Sequence, residues 1–422
     1  MLKEKIKPFT VTYYSAAAAR PEGEIGILEK RWLHKLFLLT HIPATWPAWK
    51  LATGLLIGAG LVGGVWSPLG PAAFIAAGIY LIFALVDWGL LWWLPQSSRS
   101  FGPIGPQLFV KTVPRLGVAV LVGLAALGWY LVTSTLSAPF SLTPWLGALI
   151  LLQLVGTAVY LWGTLREPFA LAVSHMTIQT PGLPADAPPI RLLHLSDLHL
   201  ERLTQRETRL LELIEEVRPD LMVITGDYLN LSYVNDPVAR TAVRQVLAQL
   251  HAPYGVYATL GSPPVDPRDT TPSLFEGLSI RLLRDEAAVL TWADGRTLAL
   301  LGLDCDHDLA ADAQVFQELV KLVPPTSTQV LLYHSPELMP LVQQHPVELY
   351  LCGHTHGGQV RLPFYGAILT SSSLGKRYEM GPYTEQNTTL YISRGIGLEG
   401  LSAPRLRLLC PPEVVLFTLS GK

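Results

Sequence analysis

Residues 190–200 read IRLLHLSDLHL, and residues 349–359 read LYLCGHTHGGQ. Each is a short apolar run that ends in acidic or imidazole side chains, and this pattern decides the fold of the C-terminal half. Runs of this length, bounded by polar and glycine-rich segments, read as buried strands. Working outward, Leu221–Thr225, Tyr254–Leu260, Val330–Tyr333, Leu390–Ser393 and Val414–Leu419 read the same way. Between the first two strands, Thr204-Gln205-Arg206-Glu207 is a capping-box pattern. It opens a helix with Leu210, Leu211, Ile214 and Val217 on one face. A second helix follows Thr225 and runs to the region of Leu250. Asp294-Gly295, between Leu290–Trp292 and Thr297–Leu301, is a hairpin signal. Strands alternating with helices specify an α/β domain over residues 190–422.

Candidate metal ligands sit where these strands end. Asp197 and His199 follow the first strand, Asp227 the second, His334 a later one, and His354 with His356 the next. Alternation along a strand predicts that Asp197 and His199 share one side, as do His354 and His356. In open α/β sheets, ligands bind at the carboxyl edge of the strands. Carboxylates mixed with imidazoles suit divalent Mn, Fe or Zn. By contrast, Cys352 and His194 read as core residues, and the cluster Asp304, Asp306, His307 and Asp308 reads as a solvated loop, with metal binding there as the lesser alternative.

The N-terminal half has a different character. The chain has 422 residues, of which 50% are hydrophobic and only 15% charged, too apolar for a soluble protein of this size. The excess lies in Trp49–Trp66, Ala72–Leu94, Leu116–Leu136 and Trp145–Leu165, each near the length that spans a bilayer. Pro68, Pro95, Pro114 and Pro144 mark breaks between them, and Gly54, Gly58, Gly60 and Gly64 suit close helix packing. Asp87, beside Trp88 and near the end of its span, reads as interfacial. The organisation expected is therefore a tail over 1–48, four transmembrane helices over 49–165, and a proline-rich extended linker over 166–189. The α/β domain completes the chain.

Four spans put the tail and the C-terminal domain on one side. Lys3, Lys5, Lys7, Arg20, Lys30, Arg31, Lys35 and Lys50 in the N-terminal segment, with Arg99, Lys111 and Arg115 in the middle connection, predict that this side is cytoplasmic. The protein is thus expected to be a multi-pass protein of the inner membrane. Three cysteines in no disulfide-like spacing agree with that compartment. A formal net charge of -2 offers nothing for nucleic acid as a partner.

The strings LSDLHL, TGD, LYHSPE and LCGHTHGGQ, with ISRGIG and CPPEV near the end, resemble the calcineurin-like metallophosphoesterase superfamily and its membrane-anchored bacterial branch. The resemblance implies a two-sheet sandwich flanked by helices, with a dinuclear centre of two divalent metal ions at one edge. It implies Asp197, His199 and His356 on one metal, Asp227 bridging, and His334 with His354 on the other. It further implies a metal-bridging hydroxide as nucleophile. The implied substrate is a phosphorylated small molecule or a lipid-linked phosphate such as UDP-diacylglucosamine. Arg394, Lys376 and Arg377 are candidates to orient a phosphate.

One departure stands out. Where the family pattern has Gly-Asn-His, this chain reads Gly261-Ser262-Pro263-Pro264. Ser262 is a weak substitute for the amide ligand, and Pro263 cannot protonate a leaving group. No general acid is identified. Losing one costs about 10²- to 10⁴-fold in rate, which favours a pyrophosphate or activated ester over an alkyl monoester. A catalytically impaired protein with a binding or regulatory role is the alternative.

Overall fold

The computed structural model describes residues 9–21, 42–99, 102–400 and 405–421. The chain divides into two compact units. One comprises Glu29–Arg166 with Gly400–Arg405, and the other Met1–Leu28, Glu167–Glu399 and Leu406–Lys422.

The first unit is built on α1 (Ala48–Trp66), α2 (Ala72–Trp93), α3 (Ile104–Thr135) and α4 (Thr143–Leu165). All four are long and apolar enough to cross a membrane. Their outward faces carry exposed Phe74, Leu121 and Leu151, which suit lipid far better than water. Two expectations change. Pro114 lies inside α3, which begins at Ile104 rather than after a break. An internal proline is tolerated in membrane helices because neighbours can satisfy the freed backbone groups. Of the four glycines expected to pack, Gly58 abuts the Tyr80 ring, while Gly54, Gly60 and Gly64 face open space.

Asp87 is also corrected. It is fully buried on the α2 face that carries Ala76, Tyr80, Ala84 and Leu91. Arg115 of α3 holds it through Nε at 2.5 Å and Nη2 at 2.9 Å. The same guanidinium donates to Gln153 Oε1 and Thr157 Oγ1 of α4, both at 2.9 Å. Three helices are thereby pinned in register. Removing one partner of a buried pair costs about 3–5 kcal/mol, because the survivor stays buried and uncompensated. Lys111 Nζ also lies 3.2 Å from Asp87 Oδ1, so Asp87→Leu, which strands both cations, is expected to lower the melting temperature of the detergent-solubilised chain more than Asp87→Leu combined with Arg115→Met. Equal losses would contradict this.

The second unit is a sandwich of two sheets. One has the order β2-β15-β3-β4-β5-β6 and the other β1-β7-β8-β9-β10-β14-β13. In chain order these are β1 (Phe9–Ser15), β2 (Ala172–Thr180), β3 (Ile190–Leu195), β4 (Leu221–Ile224), β5 (Val256–Ala258), β6 (Ile280–Leu282), β7 (Glu286–Trp292) and β8 (Thr297–Gly302). There follow β9 (Thr328–Leu332), β10 (Leu349–Cys352), a short ribbon of β11 (Arg361–Leu362) and β12 (Gly366–Ala367), β13 (Gly381–Glu385), β14 (Thr388–Ile392) and β15 (Glu413–Gly421). Leu192, Val223, Leu300, Val330, Leu351 and Phe417 interdigitate between the sheets. Helices α5 (Gln205–Val217) and α6 (Pro237–Leu247) cover one outer face, and α7 (Leu309–Leu322) covers the other. The capping box at Thr204 and Glu207 and the β7–β8 hairpin form as the sequence predicts.

Two segments read as tail and linker are structural. β1 pairs antiparallel with β7 along its whole length, covering what would be an exposed edge. β2, in the segment expected to be an extended linker, pairs parallel with β15 over nine residues. Both are rich in β-branched or aromatic residues, and their partners lie hundreds of residues away. Because β1 precedes the four apolar helices and β7 follows them, one shared sheet requires an even number of membrane crossings between the two.

Candidate metal centre

Parallel pairing aligns the carboxyl ends of strands from both sheets. Leu195 of β3 is level with Ile224 of β4, which is level with Ala258 of β5. In the other sheet, Gly302 of β8 is level with Leu332 of β9, and Cys352 of β10 with Ile392 of β14. Asp197, Asp227, His334, His354 and His356 all lie in the turns just beyond these ends, with His199 two residues after Asp197. Alternation along a strand does not set their directions, because the strands have already ended. Instead, Asp197, His199, Asp227, His354 and His356 adopt left-handed backbone, with φ between 38° and 67°. Non-glycine residues rarely do so, and such strain clusters at functional sites. Close approach is permitted by Gly261 and Gly353, where a Cβ would collide with the carboxylates of Asp227 and Asp197 respectively.

The donor atoms converge. Asp227 Oδ2 lies 3.2 Å from His334 Nε2 and 3.4 Å from His199 Nε2. Asp197 Oδ1 lies 3.3 Å from His356 Nε2 and 3.9 Å from His334 Nε2. His199 and His356 bring their Nε2 atoms to 2.9 Å. Two groups of ligand atoms are close enough to hold a metal ion, Asp197 with His199 and His356, and Asp197 with Asp227 and His334. His354 joins neither group among the described residues; its ring lies 5.2 Å from that of His334.

The chemistry of this donor set fits divalent cations. His334 Nδ1 and His199 Nδ1 donate to the carbonyls of Thr225 and Leu229, at 2.7 and 3.2 Å. That fixes their tautomers and leaves each Nε2 lone pair facing inward, the arrangement of metal-ligating histidines. A lone pair aimed at a carboxylate, or at another imidazole 2.9 Å away, is repulsive unless a proton or cation lies between. Each carboxylate also takes one backbone donor, Ser262 N on Asp227 Oδ1 at 2.7 Å and His354 N on Asp197 Oδ1 at 3.1 Å.

Without a metal, the buried charges regulate one another. Burial works against the imidazolium of His334, but Asp227 and Asp197 hold it up at about 10. Burial likewise works against the carboxylate of Asp227, yet His334, His199 and His354 keep it well below the usual range. Asp197 rises to about 6, chiefly through burial, with Asp227 adding to it and His334 opposing. His354 and His356 are pushed well down by burial and by neighbouring histidines.

Other sequence-named groups are engaged elsewhere. Arg394 Nη2 donates to Glu413 at 2.7 Å, Lys376 to the carbonyls of Tyr365 and Ala367, and Arg377 to Glu385. Among the described residues, none of these bonds is made to a candidate ligand side chain. The acidic loop is partly buried and its carboxylates are engaged. Asp304 pairs with Arg284, Asp306 with Arg20 and Arg268, and Asp308 caps α7.

Two residues were missed. Glu399 brings a carboxylate oxygen to 3.5 Å from His356 Nε2. Asp266, fully buried, accepts from the backbone N–H groups of Asp227 and Gly261 on Oδ2 and of Tyr228 on Oδ1. It ties the Asp227 turn to the Ser262 loop. Each buried N–H left without an acceptor costs about 1–3 kcal/mol. Asp266→Ala should therefore lose at least about 2 kcal/mol in denaturant unfolding and weaken divalent-metal retention, with Asp266→Asn losing less. Unchanged stability in Asp266→Ala would refute this anchoring role.

Comparison with known proteins agrees with this geometry. The family model for calcineurin-like phosphoesterase matches residues 190–262. An uncharacterized metallophosphoesterase of Bacillus subtilis, YkuE, is 31% identical over 280 residues, covering 65% of this chain and 94% of the relative. UDP-2,3-diacylglucosamine pyrophosphatase LpxG of Chlamydia trachomatis is 24% identical, covering 61% and 92%. Phosphodiesterase YaeI of Escherichia coli is 28% identical, covering 56% and 83%. With strand-end ligands and a two-sheet sandwich on the same segment, the chain belongs to the calcineurin-like metallophosphoesterases.

Proposed function

We propose that this protein is a membrane-bound phosphoesterase that hydrolyses a phosphoester or pyrophosphate bond with two divalent cations, on a lipid-linked substrate at the cytoplasmic face. The observation that carries the reading is the convergence of Asp197, Asp227, His199, His334 and His356 at the carboxyl edges of two sheets. Bound there, Mn, Fe or Zn would polarise the phosphoryl group and make water nucleophilic near neutral pH. The chain's own work is positional. Asp227 would serve both cations, with one oxygen fixed by Ser262 N and the other presented inward. Asp197 with His199 and His356 would hold one cation, and His334, with His354 as its neighbour 5.2 Å away ring to ring, the other.

Two observations favour a lipid-linked substrate. Four candidate membrane helices belong to the same chain. The β11–β12 ribbon, which starts just after His356, exposes Leu362, Phe364, Tyr365, Ile368 and Leu369. That apolar surface suits an acyl chain or a bilayer interface. UDP-diacylglucosamine, the substrate named for LpxG, is of this class. The impaired reading is favoured by one observation, the Gly261-Ser262-Pro263 loop, which carries no imidazole or carboxyl group to act as general acid.

Full-length protein in detergent with Mn²⁺ is expected to hydrolyse bis-p-nitrophenyl phosphate and a lipid-linked diphosphate, and Asp227→Asn to abolish both. Activity with Mn²⁺, Fe²⁺ or Zn²⁺ no higher than that variant's would decide for the binding role. Diphosphates should be turned over faster than alkyl monoesters by about 10²-fold or more, as expected where leaving-group protonation is not assisted. Ser262→Asn with Pro263→His should narrow that gap.

A further inference from the structure

The loop after β8 brings an unassigned imidazole to the place where the Gly-Asn-His pattern fails. His307 Nε2 lies 3.1 Å from Ser262 Oγ, which itself lies 3.4 Å from His354 Nδ1. The rings of His307 and His354 are 5.0 Å apart. β8 is parallel to β9, whose own end carries His334, so His307 rises from the same sheet edge as the candidate ligands. It also shares their backbone state, with φ of 58°.

Its position is tightly specified. Arg268 donates to the Gly261 carbonyl at 2.9 Å, the Cys305 carbonyl at 2.8 Å and Asp306 Oδ1 at 2.9 Å, clamping the His307 loop to the Ser262 loop. Arg20, just beyond β1, adds bonds to Asp306 Oδ2 and the Asp304 carbonyl. On the other side of His307, Asp308 is fixed as the cap of α7. A hydrogen bond to Ser262 alone does not account for this arrangement. A neutral bond contributes about 0.5–1.5 kcal/mol, whereas left-handed backbone costs a non-glycine residue about 1–2 kcal/mol.

We propose that His307, acting with Ser262, completes the second cation position beside His334 and His354, its Nε2 serving where the family pattern has an amide oxygen. This rests on the two-cation reading above. An imidazole nitrogen is a stronger donor than a serine hydroxyl for Mn, Fe or Zn. It also reaches across the gap that the short side chain of Ser262 leaves.

The test counts ions on the full chain in detergent, stripped with chelator and titrated with Mn²⁺. Two ions per wild-type chain, with an exchange-coupled electron paramagnetic resonance signal, are expected. His307→Gly, which removes the ring without straining the backbone, should weaken the second ion by at least about 10-fold and leave an uncoupled signal. His307→Phe, which keeps the ring but no nitrogen, should behave alike, and matching metal-free melting curves will exclude unfolding. Ser262→Asn should restore the second ion in the His307→Gly background. Two ions of unchanged affinity in both His307 variants would overturn the inference while leaving the two-cation reading intact. A wild type that binds no Mn²⁺, or whose binding survives Asp227→Asn unaltered, would overturn that reading itself. A single ion in the wild type would overturn both.

Discussion

The Asp227 carboxylate is the constraint on which the rest depends. Its Oδ1 accepts the Ser262 N–H, and its Oδ2 faces His334 and His199. Those contacts join loops from both sheets of the sandwich. Burying this group is favourable only if its charge is matched, and with His334 that match is an ion pair in the absence of a cation. The glycines at 261 and 353, the left-handed turns and the Asp266 tie all serve to keep that carboxylate and its neighbours in place. A sandwich of this kind could be built without any of them, and the strain they carry is the signature of a site.

Much of this was legible from the sequence, for local reasons. Apolar runs of four to six residues gave β3, β4, β9 and β10, and the Thr204 to Glu207 capping box gave the start of α5. Since parallel strands end level with one another, naming the polar residues just after each run was enough to gather Asp197, Asp227, His334, His354 and His356. What escaped was long-range. β1 finds its partner 271 to 283 residues away only through the folded sheet, with Ser15 opposite Glu286 and Phe9 opposite Trp292. Asp87 looked interfacial because nothing nearby in sequence reveals Arg115 on the next helix.

The directions of the ligands also escaped, because left-handed backbone at aspartate and histidine has no compositional mark. His307 belongs to this class. In sequence it sits among aspartates and reads as part of a solvated loop, yet Arg20, Arg268 and the α7 cap absorb those aspartates and leave the imidazole beside Ser262. The loss at the Gly-Asn-His position and the gain at His307 are forty-five residues apart, so neither could be weighed against the other until the fold joined them.

The most direct test of the account is a crystallographic or cryo-EM map of the full chain soaked in Mn²⁺, with the ions located by anomalous scattering where crystals allow. Two peaks bridged by the Asp227 carboxylate, one against His199 and His356 and one against His334, are predicted. An empty centre at saturating Mn²⁺, or ions bound away from Asp227, would contradict it.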